Sequence, residues 1–91
     1  MATNANTGRV SDNPAASRFE LVVDGKTSFL TYTRTPTTLT LLHTEVPEDL
    51  RERGIGGALV EAALDRGHAD GVRVIVVCPF AREYMKKHPR R

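Results

Sequence analysis

From Arg18 onward, apolar and polar residues alternate with a period of two. Phe19, Leu21 and Val23 fall on one face and Glu20, Val22 and Asp24 on the other, which predicts a strand ending in a tight turn at Asp24-Gly25. Lys26 to Arg34, rich in Thr, Phe, Leu and Tyr, predicts the partner strand of a hairpin. Thr35-Pro36-Thr37 breaks it, and Thr38 to Val46 predicts a third strand. Strict alternation there puts Leu39, Leu41 and His43 on one side and Leu42, Thr44 and Val46 on the other. Three strands with short connections form an antiparallel meander.

Pro47 ends the third strand, because proline removes a ladder donor. A polar loop, Glu48 to Arg53, leads into Gly54-Ile55-Gly56-Gly57-Ala58. Beyond it, Ile55, Leu59, Val60, Ala63 and Leu64 recur at helical spacing up to a stop at Asp70-Gly71. Gly67 weakens the last turn by roughly 1 kcal/mol relative to Ala. Val72 to Cys78 is apolar except for Arg73, and a run apolar on both faces predicts a strand in the middle of a sheet. Pro79 opens a final helix to about His88. The expected order is β-β-β-α-β-α, an α+β class with helices packed on an antiparallel-rich sheet. Met1 to Ser17 shows no periodic apolar face and reads as a disordered leader, leaving residues 18–91 as one domain without internal repeats.

Composition narrows the function classes. The chain has 91 residues, 40% hydrophobic and 26% charged, which suits one small globular domain. It lacks any run of about 18 apolar residues, so no membrane partner is expected. One cysteine excludes an internal disulfide and a multi-thiolate zinc site, and a lone thiol suits a reducing, cytoplasmic compartment. His68 and His88 have no partner at metal-ligand spacing, so no metal is expected. The net charge is +2, yet Arg82 to Arg91 alone sums to +4, which points to an anionic ligand near that end. Two Tyr, three Phe and no Trp leave few stacking platforms for nucleic acid.

The glycine segment carries the most chemistry. Glycines opening a helix let main-chain N–H groups converge on an anion, and the helix dipole adds partial positive charge. A phosphate loop of the Walker type needs Lys then Ser or Thr after its last glycine, and Ala58-Leu59 stand there instead. A dinucleotide fingerprint needs glycine at Leu59 and an acid near Val74, and has neither. The surviving pattern is R-x-x-G-x-G, at Arg51, Gly54 and Gly56.

With that loop, His43-Thr44-Glu45-Val46-Pro47 before it, and Val77-Cys78-Pro79-Phe80, Tyr84 and His88-Pro89 after it, residues 18 to 89 resemble the GNAT acetyltransferase superfamily. Within it, the chain looks like the short, single-domain YjdJ-type branch. The resemblance implies acetyl-CoA as cofactor and an amine acceptor. It places pantetheine along Thr44, Glu45 and Val46, and pyrophosphate on Arg51, Arg53, Gly54, Ile55, Gly56, Gly57 and Ala58. As catalytic candidates it implies Glu45 as proton acceptor for the amine, Cys78 as acetyl carrier and Tyr84 as acid for the departing thiolate.

Each candidate has a plainer alternative. Arg51 and Arg53 are either phosphate ligands or solvated loop cations, and Glu45 either a base or an exposed strand residue. His43 reads as a half-buried, satisfied imidazole. Cys78 closes a buried strand at a helix N-cap, a position that favours thiolate and equally suits a small packed side chain. Tyr84 either donates a proton or packs. Two functions stay open: an acetyl-CoA-dependent transferase, or a non-catalytic CoA-binding module that contacts another protein. The short stretch before Arg18 leaves no room for N-terminal helices, which favours the module, and an open-sided sheet leaves pairing with a second copy open.

Overall fold

The computed structural model describes residues 10–89. Its single sheet runs in the order β1 (Ser11–Asn13), β2 (Arg18–Val23), β3 (Lys26–Arg34), β4 (Thr38–Glu45) and β5 (Arg73–Val76). Neighbours pair antiparallel from β1 to β4, and β5 joins β4 in parallel through helix α1 (Ile55–Asp70). Helix α2 (Pro79–Lys87) follows β5. Asp24 and Gly25 both have positive φ, 54° and 77°, the two-residue turn whose twist matches flanking strands, and it sets Val23 opposite Lys26.

One face of the sheet carries the core. Phe19 and Leu21 on β2, Leu30 and Tyr32 on β3, and Leu39 and Leu41 on β4 close against Ile55, Leu59 and Ala63 of α1. Helix α2 joins the same layer through Ala81 and Cys78, which pack on Val60 of α1 with Val76 of β5 alongside. A methyl group on Gly67 would run into Val74, so this glycine sets how closely α1 lies on β5. The opposite sheet face carries no helix among the described residues, and Val22 and Ile75 on it are 58% and 40% exposed. The expected α+β class, with helices packed on an antiparallel-rich sheet, therefore holds.

Three sequence expectations are corrected. First, part of the supposed leader is ordered: Ser11–Asn13 pair with Arg18–Glu20, and Pro14–Ala16 form a 3-10 turn capped by Asn13 Oδ1. Asp12 Oδ1 accepts from the Tyr32 hydroxyl at 2.6 Å, a tertiary anchor that periodicity cannot reveal. Residues 1–9 of that leader lie outside the described residues. Second, β5 is an edge strand, not a central one, and it ends at Val76; its apolar run covers only one helix face, leaving Ile75 and Val77 on the surface. Third, the register slips on β4. Tyr32 faces Leu41 while Thr31 faces His43, so Leu42 is an extra residue in a β-bulge and alternation reverses beyond it.

Candidate functional site

The bulge creates the site's first feature. β5 pairs with β4 only from Thr38 to Leu41, and then Val77 N–H and Cys78 N–H both donate to Leu41 O, each at 3.0 Å. Two donors on one carbonyl mark the point where the chains part. Pro79 has no N–H to extend the ladder and instead starts α2. Leu42 to Glu45 thus continue as one arm of a V whose other arm is the turn into α2.

At the crotch of that V, Thr44 Oγ1 lies 3.2 Å from Cys78 Sγ. Reversed alternation is what turns Thr44 toward the helix layer, and it turns His43 away. Cys78 is 1% exposed, caps α2 by accepting from Ala81 N–H at 3.5 Å, and packs against Val60 and Ala81. His43 and Glu45 lie on the other side of the strand, 61% and 52% exposed, with Nε2 and Oε1 2.9 Å apart. His43 is therefore a surface imidazole, contrary to the half-buried one expected.

The second feature is the turn leading into α1. Pro47 is followed by a 3-10 turn, Glu48–Leu50, whose Leu50 is buried in the core and pins the loop down. Lys26 pairs with Asp49 beside it and holds that carboxyl below the usual carboxylate range. Arg51 Nε donates to Val46 O at 3.2 Å, tying the loop to the end of β4. Arg53 reaches back to Asp24 at 3.0 Å, so both loop arginines have protein partners. Glu52 has φ of 72°, and Gly54, the N-cap of α1, has φ of 78°. A glycine N-cap has no side chain to satisfy the first helical N–H groups, and no acidic residue stands in the first turn. That end of the helix suits an anion on both counts.

Gly56 and Gly57 serve a further purpose that spacing did not suggest. An added Cβ would lie 2.6 Å from the Phe80 ring at Gly56, and 2.6 Å from the Tyr84 ring at Gly57. Their missing side chains let α2 lay its aromatic face directly on the first turn of α1. Phe80, Tyr84 and His88 form a stacked column there, with centroid separations of 6.3 and 4.4 Å. The Tyr84 hydroxyl donates to Glu61 of α1 at 2.8 Å, which gives it a structural partner in place of the free acid the resemblance implied.

Comparison with known proteins settles the lineage. The model of the GCN5-related N-acetyl-transferase family matches residues 18–91. This chain belongs to the GCN5-related N-acetyltransferase family. Among curated relatives of this acetyltransferase-family chain, Protein NATD1 of Bos taurus is 41% identical over 49 residues, covering 54% of the chain and 43% of the relative. Protein NATD1 of Xenopus tropicalis is 36% identical over 52 residues, 57% of the chain and 48% of the relative. The human Protein NATD1 is 39% identical over 49 residues, 54% of the chain and 43% of the relative. The matched segment thus spans less than half of each relative's length. Membership gives the site its frame: the V between β4 and β5 and the uncapped start of α1 are two neighbouring features of an acetyltransferase-family fold.

Sequence reasoning grouped Thr44, Glu45, Val46 and Cys78 with the glycine turn; the fold sets Thr44 against Cys78 and ties Val46 to the loop through Arg51, while Glu45 faces away from them. It missed Glu61 and Asp24, partners of Tyr84 and Arg53, which are far away in sequence and carry no local signal. It also missed that Val46 O is held by Arg51. Among the described residues no three His, Cys, Asp or Glu side chains gather as a metal site, and no helix is long and apolar enough to cross a membrane.

Proposed function

We propose that the chain binds acetyl-CoA and transfers its acetyl group to an amine. The carrying observation is the parting of β4 and β5 at Leu41 directly beside the glycine-capped start of α1. An extended thioester arm needs a slot with unpaired strand edge along it. A pyrophosphate needs converging N–H groups and positive potential, and both are built here from main chain.

In this reading the N–H groups of Gly54 to Gly57 hold the pyrophosphate, Ala58 N–H being spent on Gly54 O at 3.0 Å, and the edge of Thr44 to Val46 orients the pantetheine. The thioester then lies beside the Thr44–Cys78 contact. Positioning accounts for much of the catalysis, because a held thioester and a held amine react as one molecule. Cys78 closes the slot's floor by packing and by capping α2, and transfer is direct from thioester to amine. Tyr84 holds the two helices together through Glu61.

Calorimetric titration with CoA tests the binding half. Gly54 is the place to probe: a side chain there meets open space, and the left-handed backbone strains Asn and Asp alike, so their difference reads charge. Asp at this position puts a carboxylate where the diphosphate would sit, and Asn adds the same bulk without charge. Binding that survives Gly54→Asn and drops at least ~10-fold in Gly54→Asp supports the reading; equal binding in both overturns it. The bare sheet face supports a second reading, a CoA-binding module without turnover. Mass analysis of an amine panel incubated with acetyl-CoA separates the two, because the module yields no acetylated amine.

A further inference from the structure

Cross-strand pairing sets out two rows of side chains on the helix-free face of the sheet. Arg18 on β2 stands opposite Thr31 on β3, and Thr31 opposite His43 on β4. One step along, Glu20, Phe29 and Glu45 line up in the same way. Side chains two apart on a strand share a face, so the rows also pair lengthwise. Arg18 Nε lies 2.5 Å from Glu20, and its guanidinium carbon sits 4.4 Å from the Phe29 ring centroid. His43 pairs with Glu45 at the far end.

The charged neighbours of His43 on this surface are therefore Glu45 on its own strand and the Arg18–Glu20 pair on β2, which Thr31 and Phe29 of β3 hold at a distance. β5 places no group beside it, because it stops at Val76 opposite Leu41. The helices lie on the other face.

We propose that His43 and Glu45 work as a dyad in which His43 is the proton acceptor for the incoming amine and Glu45 is its positioning carboxylate. This rests on the acetyl-transfer reading and deepens it. α1 and α2 cover one side of the slot, so the acceptor's route to the thioester is from the bare face, where this dyad stands next in sequence to Thr44. An ionised carboxylate only accepts hydrogen bonds, so the His43 nitrogen facing Glu45 carries the hydrogen. Nδ1 of the neutral ring is then left with its lone pair toward solvent. The amine nitrogen attacks the thioester carbonyl carbon, the carbon–sulfur bond breaks, and CoA leaves as thiolate. The proton shed by the nitrogen passes to Nδ1 and on to solvent, which reprotonates the thiolate. Glu45 stabilises the imidazolium in between. A neutral imidazole offers a lone pair on one nitrogen and a hydrogen for the carboxylate on the other, which suits the ring to take the proton and Glu45 to hold it in place.

The test compares wild type, His43→Gln, Glu45→Gln and the double variant in amine acetylation across mildly acidic to neutral pH. His43→Gln is expected to lower kcat by ~100-fold or more, leave KM for acetyl-CoA unchanged and remove the acidic limb of the rate profile. Glu45→Gln loses less, and the double variant is no slower than His43→Gln, as for residues acting as one unit. A His43→Gln rate within ~2-fold of wild type, or an additive double loss, overturns the proposal. Independently, ring nitrogen NMR shifts of neutral His43 should show the hydrogen on Nε2 in wild type and a loss of that preference in Glu45→Gln, since the carboxylate accepts from Nε2. An unchanged tautomer with wild-type turnover intact refutes the dyad and leaves acetyl transfer standing. Absence of wild-type turnover refutes the transfer reading, and the base role with it.

Discussion

The Thr44 hydroxyl and the Cys78 thiol meet at 3.2 Å across the point where β4 and β5 separate, joining residues 34 apart in sequence. The contact exists because a bulge at Leu42 reverses the facing of β4 and because Pro79 turns the chain into α2 immediately after β5. Cys78 also caps that helix. Removal of its sulfur costs packing and a cap together.

Cys78→Ala is thus expected to lose about 1–2 kcal/mol in denaturant unfolding while still binding CoA. Intact mass analysis of wild type mixed with acetyl-CoA should show no acetyl adduct. A covalent acetyl group that disappears in Cys78→Ala would replace direct transfer by a two-step route through the thiol.

The two packed glycines should not be equally tolerant. Phe80, which overlies Gly56, is 45% exposed and can swing outward. Tyr84, which overlies Gly57, is held by Glu61 and by the His88 ring. Gly57→Ala should therefore cost about 1–3 kcal/mol, and Gly56→Ala clearly less, in thermal or denaturant unfolding. The reverse order would mean that Tyr84 is the looser ring.

Burial, with the Asp12 carboxylate hydrogen-bonded to it, pushes the Tyr32 phenol up to about 12. The folded chain therefore keeps this proton where the unfolded chain loses it. Its contribution is complete below about pH 10, the ordinary phenol value, and is lost as pH climbs to about 12. Urea midpoints measured across that window should fall in wild type and flatten in Tyr32→Phe. The carboxylates work in the opposite sense. Arg34 holds Asp70, and Lys26 holds Asp49, below the usual range, so their support is present at neutral pH and fades as acid protonates them.

Ser28 is fully buried, and its hydroxyl finds no partner among the described residues. An orphaned hydroxyl in an apolar layer is a net cost. Ser28→Ala should match or exceed wild type, by up to about 1 kcal/mol, and a clear loss in its melting temperature would show that the hydroxyl is satisfied in solution.

Much of the frame was legible from residue order. Period-two alternation located β2 and β4, strand-forming composition β3, Asp24-Gly25 the hairpin, and Gly71 the end of α1, because each follows from local backbone preferences. The loop R-x-x-G-x-G with its flanks was enough to suggest the family that the comparison then established. Long-range relationships decided the rest. No local rule places a bulge at Leu42, yet that one extra residue sends Thr44 to Cys78 and turns His43 and Glu45 together to the bare face. The apolar run at β5 looked central because composition reports how greasy a strand is, not how many neighbours it has. Gly56 and Gly57 were read as an anion cradle alone, whereas the pressure of the Phe80 and Tyr84 rings on them comes from α2, more than twenty residues along the chain, and only docking of the two helices exposes it.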